Sequence, residues 1–307
     1  MRRNLGVGVL LLGFLGCSDV LDGVGNVHDL RLLAIRAEPP EQLVTYDGGI
    51  VVTALFANPP GGYLVGGKWT TCPELDSATS RCPEGSADTV LLGETTSETT
   101  LEGGQASVTF GVNPLLLSKI VKADPYRGFA GIRQVIQVEL RAGDERIYGI
   151  KRVVFHVPTP KPRKLNVNPV VGDVRFNDGG WEPGVPVQFK VVAPSTPSQQ
   201  FNPPAVRNEL RIVEDEALFE TYDVTTFEGE TRTLKETFRY NFFTNNGTFS
   251  PTQAGGANLL NPNAGSIVTT WAPVDSEDNG SGPTAVWIVV RDGRGGESWT
   301  VRRAEAP

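Results

Sequence analysis

Apolar residues along this chain follow two regimes. Leu5 to Gly16 is one short continuous apolar run, preceded by Arg2-Arg3 and followed by Cys17. Two positive charges, a short apolar run and a small residue are the parts of a secretory signal peptide. The run is too short to cross a bilayer core, which takes ~20 residues. Residues 1–16 are therefore expected to be a removable leader, and residues 17–28, which lack periodicity, a tether.

From Asp29 the pattern changes to short alternating runs separated by Gly, Pro, Asn and Asp, the mark of strands and turns. Leu30 to Ile35 leads into Glu38-Pro39-Pro40, and Asp47-Gly48-Gly49 turns the chain into Ile50–Ala57. Lys68–Cys72 reads as a third strand and residues 73–88 as a polar excursion. Ala106–Val112 alternates again. Asn113-Pro114 then opens Leu115–Lys122 with an N-cap and a proline at the first helical position, the best helix signal in the chain. Gln134–Arg141 and Ile147–Val157 form a hairpin across Ala142–Glu145.

Pro158-Thr159-Pro160-Lys161-Pro162 reads as a stiff linker. It divides a first domain, 29–158, from a second, 161–304, and a fragment starting near Lys161 is expected to fold alone. The second domain offers strands at Val185–Ala193, Glu209–Val213, Phe219–Thr225, Leu234–Thr244 and Ile267–Trp271. Ala285–Val290 is apolar on both faces, as a central strand should be. The turn residues Arg291–Glu297 return the chain to Ser298–Val301. The expected architecture is all-β, with two sandwich domains in tandem.

Composition narrows the function classes. The chain of 307 residues carries a net charge of −7, and loss of Arg2 and Arg3 with the leader makes it −9. Nucleic-acid binding is driven by Lys and Arg, so an acidic chain makes a poor partner for it. No Gly-x-Ser-x-Gly, His-Glu-x-x-His or phosphate-loop motif is present. His28 and His156 are the only histidines. The glycines of 293–296 lie between two strands and are turn glycines. The expectation is a protein that is not an enzyme.

Two resemblances add to this. Phe14-Leu15-Gly16-Cys17 resembles the lipobox of bacterial lipoproteins, with Phe14 in place of the usual leucine. The resemblance implies cleavage before Cys17 and lipid on its thiol. Ser18 at the next position lacks the aspartate of the inner-membrane retention rule. That implies a lipid-anchored protein of the outer membrane or cell surface. Trp271-Ala272-Pro273, Val286–Val290 and Arg291–Gly296 look like the last hairpin of immunoglobulin-like domains of the PKD and cadherin-like kind. The whole layout resembles surface lipoproteins of the myxobacterial type. The match is good over the last hairpin and elsewhere rests on pattern.

With Cys17 set aside for lipid, Cys72 and Cys82 remain as an even pair in an exported chain, and a disulfide is expected. Without nearby histidines the two make a poor zinc site. Calcium takes six to eight oxygen ligands. Two acidic loops are its candidates, one with Asp173, Asn177 and Asp178, the other with Asp275, Glu277, Asp278 and Asn279. Asp, Asn and Gly also simply make turns. Trp69, Trp287 and Trp299 fall in strands and read as core. Trp181 falls in a loop and is the candidate for stacking on a sugar. Two functions follow. One is a non-catalytic envelope lipoprotein that structures the surface or binds an envelope protein. The other is a carbohydrate-binding or adhesive module with a polysaccharide partner, which exposed tryptophans on one sheet face would favour.

Overall fold

The computed structural model describes residues 25–59, 61–159, 163–189, 208–255, 267–273 and 283–305. Cys17, Asp275 and Asp278 lie outside the described residues.

The first sandwich contains β1 (Arg31–Glu38), β2 (Glu41–Leu43), β3 (Ile50–Ala57), β4 (Leu64–Cys72), β5 (Val90–Glu98), β6 (Gly104–Phe110), α1 (Pro114–Ala123), β7 (Ile132–Ala142) and β8 (Glu145–His156). One sheet runs β1-β3-β6 and the other β2-β8-β7-β4-β5. β6 shows why the layers close: Ala106, Val108 and Phe110 point inward while Gln105, Ser107 and Thr109 face water. Phe56, Trp69, Ile136, Leu140 and Phe155 fill the space between the sheets. Full burial of such side chains stabilises by ~1.5–3 kcal/mol each before ordering costs. α1 starts where its residues dictate, with the Asn113 side chain accepting from the Leu116 amide and proline in the first turn. Cys72 and Cys82 are bonded, with Cα atoms 5.6 Å apart, inside the normal range. The bond ties the 73–81 excursion to the end of β4.

The second sandwich contains β9 (Asp173–Phe176), β10 (Gly179–Gly180), β11 (Val187–Gln188), β12 (Asn208–Val213), β13 (Thr221–Thr225), β14 (Thr231–Lys235), β15 (Arg239–Thr244), β16 (Thr248–Ser250), β17 (Gln253–Gly255), β18 (Ile267–Ala272), β19 (Thr284–Arg291) and β20 (Glu297–Glu305). Its sheets run β10-β9-β12-β18-β16 and β11-β20-β19-β15-β17, and β13-β14 stands apart as a two-stranded ribbon. Tyr240, Phe242, Trp271, Ile288 and Trp181 are among its core.

Both sandwiches share one device. Near its start each chain segment leaves one sheet and pairs in parallel with the last strand of the other: β2 with β8, and β11 with β20. Together with the antiparallel β1-β3-β6 and β9-β12-β18 sets, this is the immunoglobulin-like arrangement.

The structure departs from the sequence pattern in four places. Within the expected strand Val185–Ala193 the described residues pair only at Val187–Gln188, and 190–193 lie outside the described residues. Residues 90–98 carry no assigned element in the sequence pattern, yet they form β5, an edge strand on β4. The stretch Leu234–Thr244 is not one strand. β14 ends at Lys235 in the ribbon, and β15 begins at Arg239 inside the sandwich. Residues 25–28, read as tether, begin with chain that is already fixed. The Val27 amide donates to Thr244 O at 2.8 Å, and the Thr244 amide to Gly25 O at 2.9 Å.

Candidate functional site: the junction of the two sandwiches

β19 is buried on both faces for two different reasons. Val286, Ile288 and Val290 point into the second sandwich. Ala285, Trp287 and Val289 point out of it and meet Val27, Leu33, Ala34, Leu55 and Ala57 of the first. Trp287 is 0% exposed, and its indole N–H donates to Glu102 O at 2.8 Å. An apolar seam therefore joins the domains. The expected independence of the second sandwich meets this seam, since a fragment starting at Lys161 would turn Ala285, Trp287 and Val289 toward water.

At one end of the seam residues Gly25–Val27 lie against Thr244 through an isolated bridge. The other end, beside residues 163–168, is closed by charge. The β19–β20 turn puts Arg294 at the centre, its side chain 9% exposed. Its guanidinium reaches Glu41 at 3.0 Å, Glu236 at 2.9 Å and Glu220 at 3.3 Å. It also stacks on Tyr222 with Cζ 4.2 Å from the ring centroid. Three elements of the chain thus converge on one turn residue: β2, the ribbon base and the last hairpin.

The turn is built for this. Asp292 Oδ1 accepts from the amides of Arg294 at 2.7 Å and Gly296 at 2.9 Å, and Asn166 donates to Oδ2 at 2.8 Å. A Cβ on Gly296 would stand 2.0 Å from Asp292 Oδ2, so a side chain there would force that carboxylate off its partners. Glu41 also pairs with His156 and accepts from the Asn166 amide. Burial alone would push the Glu41 carboxyl up. The His156 and Asn166 hydrogen bonds and the charges of His156 and Arg294 outweigh it and hold the group below the usual carboxylate range. Glu236 goes the other way, raised chiefly by burial. Next to them Lys151 bonds Glu297 at 3.2 Å, and burial lowers its ammonium. Glu297 Oε2 also accepts from the Ile35 amide at 3.3 Å, across the domains.

The candidate residues read from sequence fall elsewhere. Trp181 is only 2% exposed. Its ring packs on Phe176, and its N–H donates to Arg303 O at 3.0 Å. Trp181 does lie in the loop after β10, but it is a core residue with no face free for a sugar, which corrects its candidacy for stacking. Trp69 and Trp271 are equally buried, and half-buried Trp299 carries the Arg36 guanidinium 4.7 Å from its ring. Asp173 pairs with Arg175 at 3.0 Å. Asn177 and Asp178 have φ of 48° and 67°, which makes them the two central residues of a tight β9–β10 hairpin. Among the described residues no group of three or more His, Cys, Asp and Glu is placed to hold a metal. A cleft of about 420 Å³ beside the disulfide is lined by Glu74, Asp88, Lys119 and Lys122 among others, with Lys119 and Asp88 paired.

Sequence reading passed over Arg294, Glu41 and Glu236. One signal did exist: Arg291, Asp292, Arg294 and Glu297 put four charges in one seven-residue turn. Arg291 and Glu297 answer each other within the turn, but the carboxylates that answer Arg294 lie 58, 74 and 253 positions away.

The fold and junction define a tandem immunoglobulin-like β-sandwich protein. No family model matches the chain, and no curated protein matches it. Solved structures that resemble it include the D0-D1 domain of intimin, 11% identical with a TM-score of 0.23, covering 90% of this chain and 98% of that one. A chimeric titin Z1Z2-Z1Z2 tandem is 10% identical at a TM-score of 0.21, covering 90% and 97%. Red sea bream transglutaminase is 9% identical at 0.27; 92% of this chain is covered, and the chain spans 32% of that enzyme. Likeness at this level carries no argument about activity, and the fold assignment rests on the strand order above.

Proposed function

We propose that this chain is a non-catalytic lipoprotein of the cell envelope, anchored through lipid on Cys17, whose two sandwiches act as one rigid body that displays a surface to a protein partner. One observation carries the reading: the junction combines an apolar seam with a buried ionic centre, so the tandem does not flex like beads on a string. The chain joins this body at Gly25, at one end of the seam. Seven residues lie between Cys17 and Gly25, eight chain steps with a reach of roughly 26–29 Å at most. The ionic end of the junction then faces away from that point. The carbohydrate alternative is not favoured, because four of the five tryptophans are buried and the fifth, half-buried Trp299, carries Arg36 over its ring.

Cys17→Ala tests the anchor, since Cys17 lies outside both sandwiches. The wild type should partition with detergent and incorporate a labelled fatty acid, and the variant should do neither. A variant that still partitions with membrane overturns the lipid anchor. For display, the wild-type protein used as bait in envelope fractions should retain a partner that a surface variant at the ionic end loses.

A further inference from the structure

The β13–β14 ribbon belongs to neither sheet. Every residue of β14 is exposed, and β13 alternates between exposed and half-buried. Five cross-strand pairs hold it together, from Thr221–Lys235 to Thr225–Thr231. A two-stranded ribbon of this size is marginal in water unless something else holds it. Its docking contacts gather at two places. At the base, Glu220 and Glu236 grip Arg294, Lys164 reaches Glu220 at 3.1 Å, and Tyr222 covers the guanidinium. At the tip, Phe227 crosses to the first sandwich and meets Phe129 at 5.1 Å and Tyr126 at 5.7 Å between ring centroids. Those three rings remain 74%, 48% and 62% exposed.

We propose that the ribbon is a releasable strap. It lifts from the ionic end of the junction while the apolar seam keeps the sandwiches joined. The surface it uncovers, Arg294 with Tyr126 and Phe129, fits a protein segment that carries a carboxylate and an aromatic ring. The strap is the internal copy of that ligand, with Glu236 and Glu220 supplying the carboxylates and Phe227 the ring. Water can solvate the charges left behind by lifting, whereas opening the seam would expose Trp287. Local opening is therefore the cheaper motion. The strap stands on geometry alone; only the partner's chemistry rests on the display reading.

Hydrogen exchange on the full chain tests the strap. Ribbon amides should exchange roughly 100-fold faster than those of β19, the pattern of a separate opening unit. Phe227→Ser should speed the ribbon about tenfold further, the scale of two lost aromatic contacts, and leave β19 unchanged. Ribbon and β19 amides that exchange at one rate overturn the strap. The partner surface is tested with a labelled peptide of residues 219–237. It should bind the Phe227→Ser chain at least about tenfold more tightly than a chain that also carries Tyr126→Ser and Phe129→Ser. Equal binding overturns the surface while leaving the exchange result and the Cys17→Ala result intact.

Discussion

Replacing Arg294 by alanine isolates the ionic centre. Its three carboxylate partners are not left equally bare. Glu41 keeps His156 and the Asn166 amide, with Arg163 at 3.6 Å. Glu220 keeps Lys164 at 3.1 Å. Glu236, its side chain 3% exposed, keeps from among the described residues the Glu220 amide as a hydrogen-bond donor to its carboxylate. The stranded charge is Glu236, already raised by burial. Stranding a buried charge costs about 3–5 kcal/mol. Glu236 has an escape, because it can take a proton. From an ordinary value of 4.5, holding the proton at pH 7 costs about 3.4 kcal/mol at 1.36 kcal/mol per unit, which caps the penalty. Arg294→Ala should therefore lose about 3 kcal/mol in urea unfolding at pH 7. The loss should shrink to under about 1 kcal/mol at pH 5, where the proton is nearly free. Adding Glu236→Gln to the variant should restore most of the pH 7 loss. A penalty under about 1 kcal/mol at pH 7, the scale of a surface ion pair, would refute the buried-centre reasoning. So would a penalty that is the same at both pH values.

Three further outcomes are expected. Trp287→Ala should cost about 3–5 kcal/mol in chemical unfolding and should also speed proteolysis near residue 159, since the seam loses its largest side chain; a shift under about 1 kcal/mol would show that the domains do not share this core. Cys72→Ala with Cys82→Ala should lose about 2–3 kcal/mol, the chain-entropy value for a short loop, and reduction of the wild type should match it in thermal melts. Glu41 has a folded value below its unfolded one, so its contribution is complete above pH ~4.5 and is lost as pH falls through the lower folded value. Glu41→Gln should thus be less stable than wild type near neutrality and lose less on acidification, read as converging unfolding midpoints between about pH 5 and 3.

The sequence by itself determined the local elements whose signals are local. Asn113-Pro114 started a helix because capping and a fixed φ act within one turn. Ile50–Ala57 and Gln134–Arg141 formed strands because their apolar positions had to leave water. The cysteine pair in an exported pattern matched a bond between Cys72 and Cys82. The double-sided apolar character of Ala285–Val290 was also legible, and it did mean a strand covered on both faces.

What covers its second face was decided only in three dimensions. Apolar periodicity states that a face is buried and carries no information about the partner, which here is the other sandwich. The same limit hid the ionic centre. Glu41, Glu236 and Arg294 are ordinary surface residue types in sequence, and only the chain's folding around the last hairpin takes them out of water together. Trp181 shows the reverse case. Its glycine-rich flanks read as an exposed loop, yet its indole has a core to enter and a carbonyl, Arg303 O, to satisfy its N–H. Local chemistry fixes the backbone near a residue, whereas burial of its side chain is settled by the strands that happen to pass over it.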